Sequence, residues 1–357
     1  MMKWTLERRA DPSRLALAMA PLAAVACTLL VGMLLVAWAG APVGQTYTLL
    51  FDGAFGSRFA LSETLTRATP LMLTGLACAV AFRARLFNIG AEGQLYMGAL
   101  AAVAVGGMHG GAAFDLPTPV LFAGMMAAAA LAGALLLLIP ALLKSRFGVD
   151  EVVTTLLGNF IVLLFVSMML DGPMKDPMAM GWPQSVALDG SLELGKLIER
   201  TRAHTGLLWA IGLAVGLWLV NRYTVFGFQM RSVGANAHAS RFLGLPVQRV
   251  MLCTAMLSGA LAGLAGAIEV AGRTSYVTLD MSPGYGYTGV VVAMLAGLHP
   301  IGVVAASIFV AGMLVGADSM SRAVAVPNYI ADVIVAVALL AMLVATLFAQ
   351  YRVRRVR

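Results

Sequence analysis

The chain has 357 residues, of which 60% are hydrophobic and only 11% are charged, and its formal net charge is +7. So large an apolar fraction excludes an ordinary soluble globular protein and indicates a polytopic membrane protein. A membrane-spanning helix needs about 20 apolar residues, so the chain has room for about ten spans and none for a separate catalytic domain. We therefore expect one all-α transmembrane domain over residues 1–357.

A basic N-terminal segment precedes the first apolar run, as it does in secretory signal peptides. The run from Leu15 to Ala39 is longer than the roughly 7 to 15 residues of a cleavable hydrophobic region. It therefore predicts a first transmembrane helix at 15–40 that is retained in the mature protein.

Further apolar runs follow, each bounded by charged or turn residues. They cover residues 68–82, 91–107, 118–143, 152–170, 205–221, 250–271, 286–298, 301–317 and 328–349. Lys and Arg accumulate on cytoplasmic connections, and their distribution predicts cytoplasmic termini, an extracytoplasmic loop at 171–204 and a cytoplasmic loop at 222–249. The runs 68–82 and 286–298 are short for a bilayer, so either could be a half-helix, and eight spans are possible if the second one re-enters.

Glycines and polar side chains interrupt the apolar sequence between residues 83 and 94. Asn88 could cap the following helix, and Glu92 would lie in its first turn, where the helix dipole favours a carboxylate. Polar groups at membrane depth are tolerated mainly where they line a cavity or meet another polar group. Asn88, Glu92 and Gln94 are therefore candidates for a translocation pathway, and the alternative is that they hold the broken helix together.

A second glycine-rich break, at residues 282–289, precedes the other short run. Corresponding breaks in two halves of a transporter point to a site near the membrane midplane. Two acids, Glu269 and Asp332, also lie in apolar segments, and we expect structural pairing for both because an unpaired charge there is costly. Arg273 follows Glu269 closely enough to be its partner.

Small residues recur four apart between Ser258 and Gly266. Such a stripe lets two helix backbones approach closely. It predicts packing between helices of one subunit, or alternatively a contact between two subunits.

A basic island lies between apolar runs at residues 221–249, with Arg222, Arg231, Arg241 and Arg249 and no acid. On the cytoplasmic face it could meet a soluble partner. The phosphate-loop-like segment 190–196 is followed by Leu197 where a Ser or Thr is needed, and the glycines at 284–289 lack a βαβ unit, so we expect no nucleotide site. The sequence offers no plausible catalytic set and no clustered metal ligands, so we expect no catalytic residue, metal or cofactor.

Five segments together resemble the permease subunits of bacterial ATP-binding-cassette importers of the branched-chain amino acid, ribose and nucleoside type. They are FNIGAEGQLYMGALAA from Phe87, GVDEVVTTLLGNFI from Gly148, RSVGANAHASRFLG from Arg231, LSGALAGLAGAI from Leu257 and GYGYTGVVVAMLAGLHPIG from Gly284. The first is similar to the simple-sugar and nucleoside branch that works with a basic-membrane-protein lipoprotein. The two break motifs add Phe87, Tyr285 and Tyr287 to the pathway candidates.

The resemblance implies that residues 231–244 form a cytoplasmic coupling helix that docks on a separate ATPase subunit. Its contact residues would be Arg231, Gly234, Asn236 and Gly244. The implied partners are that ATPase, a second permease subunit in a homodimer or heterodimer, an extracytoplasmic substrate-binding lipoprotein and membrane lipid, with no nucleic acid. The implied location is the bacterial cytoplasmic membrane.

We expect the carried solute to be a nucleoside, with a ribose-type sugar as the alternative. A different class, an ion-driven secondary transporter, would use Glu92, Glu269 and Asp332 as ion carriers and would need no docking helix.

Overall fold

The computed structural model describes residues 3–8, 26–34, 36–38, 40, 42–107, 116–324, separate positions between 333 and 348, and 351–356. Half of the predicted first span at 15–40 and most of the predicted last span at 328–349 lie outside the described residues, as does Asp332. Helical turns occur at residues 26–34 and 36–38.

The described segments are mainly α-helical. The helices are α1 (Val43–Phe55), α2 (Arg58–Arg83), α3 (Ala91–Gly106), α4 (Thr118–Phe147), α5 (Glu151–Asp171), α6 (Gly206–Tyr223), α7 (Val225–Ala235), α8 (Ala237–Phe242), α9 (Val247–Glu269), α10 (Tyr285–Leu295) and α11 (Pro300–Val324). A 3₁₀ turn at Gly190–Leu192 and a π-helical turn at Val270–Thr274 complete them. Helix α4 ends where Gly148 adopts a left-handed conformation with φ of 68°, which glycine does at little cost.

Six helices within the described residues are long and apolar enough to cross a membrane, namely α2, α4, α5, α6, α9 with its π-helical turn, and α11. The chain is therefore a multi-pass membrane protein. Helix α10 is shorter, with 11 residues, as expected for a half-helix. The total of ten or eight spans stays a prediction.

One of the two runs that could have formed a half-helix does not form one. The run 68–82 belongs to α2, a continuous helix of 26 residues that begins ten residues earlier, at Arg58. The sequence pattern missed the first turns because they contain Glu63 and Arg67. In α2, 89% of the most apolar window is buried inside the protein. Protein rather than lipid surrounds this helix, so its polar residues do not mark the end of a span.

The chain divides into two compact units, one at residues 65–308 and the other combining 1–64 with 309–357. In the first unit, α3, α4 and α9 form the centre, and they approach through small residues. A Cβ atom added at Gly259 would overlap the backbone of Gly133, and one at Gly266 would overlap the backbone of Leu95. The small-residue stripe therefore packs helices of one chain together, as predicted.

In the second unit, α1 lies against residues of α11 from Phe309 onward. A Cβ at Gly316 would overlap the carbonyl of Leu50, and one at Gly53 would overlap the Ser319 side chain. This unit also contains an antiparallel two-stranded sheet, β1 (Lys3–Arg8) with β2 (Tyr351–Val356). The all-α prediction omitted these strands because their pairing joins segments from opposite ends of the sequence, which no local pattern shows.

A connection without long helices joins α5 to α6. Isolated bridges order it, pairing Lys175 with Ser185, Gln184 with Thr278, and Lys196 with His204. It coincides with the predicted loop at 171–204, whose side of the membrane stays a prediction.

Candidate functional site

The first break separates α2 from α3 at residues 84–90, as predicted. Asn88 does not cap α3, however, since Gly90 occupies the N-cap position. Its side chain turns back instead: Oδ1 accepts from the Gly90 amide at 3.0 Å, and the amide groups of Asn88 and Gln94 bond to each other in both directions at 2.9 Å. Asn88 Nδ2 also donates to Ser258 Oγ at 3.0 Å. Both amide side chains are buried, and this geometry favours the structural alternative for them.

Helix α5 supplies further hydrogen-bond partners for the backbone of the first break. Glu151 Oε1 accepts from the Phe87 amide at 3.0 Å, and Thr155 Oγ1 accepts from the Ile89 amide at 3.3 Å. Asn159 donates to the Ile89 carbonyl at 3.0 Å. The unwound backbone is thus hydrogen-bonded by protein groups, which a break at membrane depth requires.

Sequence reasoning did not single out Glu151, Thr155 and Asn159. The signal was present, because these polar residues are spaced by four in an otherwise apolar helix and therefore share one face. Lys144 also bonds to Glu151 and donates to the Arg85 carbonyl at 2.8 Å, so the buried carboxylate is paired.

The second break brings a second helix N-terminus to the first. Helix α10 begins at Tyr285 after Gly284, which has φ of 86°. Glu92 Oε2 accepts from the Gly286 amide at 2.6 Å. A Cβ at Gly286 would overlap the Glu92 backbone, so glycine is required for this approach. One carboxylate therefore lies at the positive ends of α3 and α10, where helix dipoles favour it.

Asn159 also joins the two breaks. Its Nδ2 lies 3.1 Å from the Tyr287 hydroxyl, and its Oδ1 accepts from the Gly93 amide at 2.9 Å. The aromatic side chain of Tyr287, which takes part in this bridge, is 38% exposed, and that of Phe87, whose ring centre lies 5.3 Å from that of Phe82, is 44% exposed. These two are therefore the accessible members of the predicted pathway set, whereas Tyr285 is buried.

A third cluster holds the segment between α9 and α10. Glu269 Oε1 and Arg273 form an ion pair at 2.6 Å, as predicted. Arg273 also donates to the Tyr285 hydroxyl at 3.2 Å, and the Tyr96 hydroxyl bonds to the Leu279 carbonyl. These contacts fix the entry to α10.

The predicted coupling segment is divided into two helices at Asn236. The side chain of Asn236 caps α8 by accepting from the Ala239 amide at 3.0 Å. After α8, Gly244 has φ of 80°, and the neighbouring side chains of Phe242 and Leu243 are 92% and 75% exposed. Asn236 and Gly244 thus belong to an exposed corner with an apolar tip, Phe242–Leu243.

The other two predicted contact residues have partners inside the chain. Gly234 is buried, and a Cβ there would overlap the carbonyl of Arg83. Arg231 donates to the carbonyl of Asn221 at the end of α6. They hold the start of the corner against α2 and α6.

His204, next to α6, is a buried group that sequence reasoning passed over. Neither ring nitrogen has a hydrogen-bond partner within the described structure. Burial, and secondarily the charge of Arg273, lowers the pKa of His204 to about 4. The imidazole is therefore neutral at physiological pH. In the described segments, no group of three His, Cys, Asp or Glu side chains is placed to hold a metal ion.

The family model and the similar proteins agree on one family. Residues 60–347 match the family described as branched-chain amino acid transport system / permease component. The chain is 36% identical to the guanosine ABC transporter permease protein NupP of Bacillus subtilis, over 92% of this chain and 93% of NupP. It is 35% identical to the glucose ABC transporter permease protein TsgB13 of Haloferax volcanii, over 97% and 92% of the two chains. It is 30% identical to a second Bacillus subtilis protein, the guanosine ABC transporter permease protein NupQ, over 69% of this chain and 77% of NupQ.

Proposed function

The chain belongs to the family of permease components of branched-chain amino acid transport systems, and we propose that it carries a nucleoside through the membrane. It is the membrane permease subunit of an ATP-binding-cassette importer. Hydrolysis of ATP by a separate ATPase subunit and placement in the bacterial cytoplasmic membrane are parts of the proposal.

One observation carries the proposed pathway, the hydrogen-bonded meeting of the two breaks at Glu92, Gly286 and Asn159. Broken helices that meet inside a bundle are typical of transporter substrate sites. The accessible ring of Tyr287 at this meeting offers a flat apolar surface on which a nucleobase can stack, and the accessible ring of Phe87 in the first break offers another. In our proposal the pathway is shaped further by four buried side chains of the two breaks, those of Asn88, Glu92, Gln94 and Tyr285.

Two relatives support a nucleoside and one supports a sugar. NupP and NupQ are named guanosine permeases, and TsgB13 is named a glucose permease. The accessible aromatic pair favours the nucleoside, because a sugar alone presents less flat surface for stacking. A ribose-type or other simple sugar is the second candidate. The ion-driven alternative gains no support from Glu269, since that acid is paired with Arg273.

The exposed corner of α7 and α8 is the proposed ATPase contact. The surface that would contact the ATPase consists of Asn236, Gly244 and the apolar tip. Movement of the ATPase would then reach α6 through the contact of Arg231 and α2 through that of Gly234. Packed helices move as units rather than bending continuously. This assignment places residues 222–249 in the cytoplasm and 171–204 outside, where a substrate-binding lipoprotein would deliver the solute.

A second permease subunit is the remaining proposed partner. Two different guanosine permeases of one organism both match this chain, which supports a heterodimer. A homodimer is the alternative.

The test is solute uptake into proteoliposomes that contain the chain, its companion permease, ATPase and binding protein. Radiolabelled guanosine should accumulate only when ATP is present on the side of the membrane that carries the ATPase. Unlabelled adenosine should compete with guanosine better than glucose or ribose does. Stronger competition by glucose would move the assignment to sugars. Uptake by this chain alone, driven by an ion gradient, would overturn it.

A further inference from the structure

A cavity of about 300 Å³ lies among residues of four helices, α2, α6, α7 and α11. It is lined by Arg83, Trp218, Asn221, Arg222, Arg231 and His299, with Pro300 beside them. We propose that this cavity binds a phosphate group, either free phosphate or the headgroup of an anionic phospholipid. The proposal does not depend on the identity of the carried solute.

The first support is charge. Arg83, Arg222 and Arg231 come from three different helices, and no carboxylate in the described segments lies within salt-bridge distance of them. Arg83 and Arg231 are close enough for their charges to repel each other. Like charges gathered without a counter-ion are unfavourable, and an anion in the cavity would relieve the repulsion.

The second support is that backbone carbonyls hold two of the arginines, Arg83 and Arg231. Arg83 Nε donates to the Leu298 carbonyl at 3.0 Å, and Arg231 donates to the Asn221 carbonyl. The guanidinium of Arg222 lies 5.7 Å from the centre of the Tyr223 ring. Each guanidinium has further N–H groups, and this planar set of donors suits phosphate oxygens.

The third support is an unpartnered polar group. Asn221 lines the cavity and is only 4% exposed, yet its Nδ2 has no hydrogen-bond partner in the described structure. A buried donor without a partner is costly, and an oxygen bound in the cavity would satisfy it once the Asn221 amide turns towards that oxygen.

The start of α11 adds positive character. His299 precedes the helix, and its Nδ1 accepts from the Gly302 amide at 3.4 Å. That contact places the ring proton on Nε2, which makes this nitrogen a donor. The N-terminal end of the helix dipole also favours an anion.

Phosphate fits this cavity better than a carboxylate does. A phosphate group has more oxygens than a carboxylate to distribute among three guanidinium groups. The volume also leaves room for a small ester substituent, and the indole of Trp218 forms an apolar wall beside it. Aromatic and basic residues together are typical of membrane interfaces, where headgroups lie.

The experiment measures binding to the full chain purified in detergent, with two probes. One is inorganic phosphate and the other is a short-chain phosphatidylglycerol, each titrated calorimetrically. Arg222→Gln is the main variant because, in the described structure, the Arg222 side chain donates no hydrogen bond to a backbone carbonyl. We expect it to weaken binding at least about tenfold, the loss of one charge-assisted hydrogen bond. Asn221→Leu, which keeps the backbone carbonyl that Arg231 uses, should also weaken binding.

Arg249→Gln is the matched control, since this exposed arginine lies outside the cavity. Binding of inorganic phosphate alone would identify free phosphate as the ligand, and tight binding of the lipid would identify a headgroup. Either result supports the site when the control binds like the wild type. Absence of binding by both probes, or an equal loss in Arg222→Gln and Arg249→Gln, would overturn it.

Discussion

The carboxylate of Glu92 accepts a 2.6 Å hydrogen bond from the amide of Gly286, 194 residues further along the chain. Each residue lies in the first turn of a helix that follows a break. One acidic side chain therefore joins two helix N-termini, and the two breaks become one structural unit.

Gly286→Ala should separate these two helix ends, because the added methyl would overlap the Glu92 backbone. We expect a loss of stability of about 1–3 kcal/mol, typical of overpacking, and at least a tenfold loss of uptake. Thermal unfolding in detergent and proteoliposome uptake measure the two effects. The control is Gly158→Ala in α5, where a Cβ meets nothing within 4 Å. Similar behaviour of both variants would show that the close approach is unimportant.

Tyr287→Leu should lower the apparent affinity for guanosine by about tenfold, since stacking on an aromatic ring contributes roughly 1–3 kcal/mol per base. Tyr287→Phe keeps the ring and loses only the contact with Asn159, so it should retain most of the affinity. Competition of guanosine uptake by unlabelled guanosine and ribose gives the comparison. An equal loss of affinity in Tyr287→Phe and Tyr287→Leu would assign Tyr287 to hydrogen bonding rather than stacking.

Phe242→Asp should abolish co-purification with the ATPase without changing the thermal stability of the permease. Phe242 is 92% exposed, so a charge there costs the fold little and would have to be desolvated on docking. Gln248→Asp places the same charge at an exposed position on α9 and serves as the control. Undiminished co-purification of Phe242→Asp would remove the apolar tip from the proposed contact.

His204 should make stability depend on pH. Its pKa is lowered to about 4 in the folded chain, whereas an unfolded histidine titrates near 6.5. The unfolded chain therefore takes up the proton first, and stability is full above about pH 6.5 and falls as pH drops towards 4. The loss is on the order of 3 kcal/mol.

Unfolding temperatures from pH 7.5 to 4.5 check this dependence. His204→Phe should reduce it, whereas His238→Phe, at an exposed position, should leave it unchanged. An identical pH profile for the wild type and His204→Phe would exclude His204 as the source.

The sequence predicted those features that local chemistry determines. Gly90 and Gly93 beside Asn88 and Glu92 indicated a break, because helix propensity and polarity both change there. Glu269 and Arg273 were predicted to pair because they lie close together in the sequence, near the end of a helix. The small-residue stripe likewise predicted close helix packing.

Long-range contacts account for what the sequence did not reveal. Asn88 looked like a helix cap, but Gln94 and Ser258 offer its side chain better partners in the folded chain. Gly234 was assigned to the ATPase contact from the family resemblance alone, and its close approach to the Arg83 carbonyl joins residues far apart in the sequence. The start of α2 was missed because Glu63 and Arg67 lie in its first turns and interrupt the apolar run.

The glycine contacts among α3, α4 and α9 have a consequence for the transport cycle. Gly98, Gly133 and Gly263 bring backbones together with no side chain between them. Interfaces packed this closely do not slide by small steps, so the three helices should travel as a single rigid body. Opening and closing would then be accommodated at their borders, the unwound segments 84–90 and 275–284.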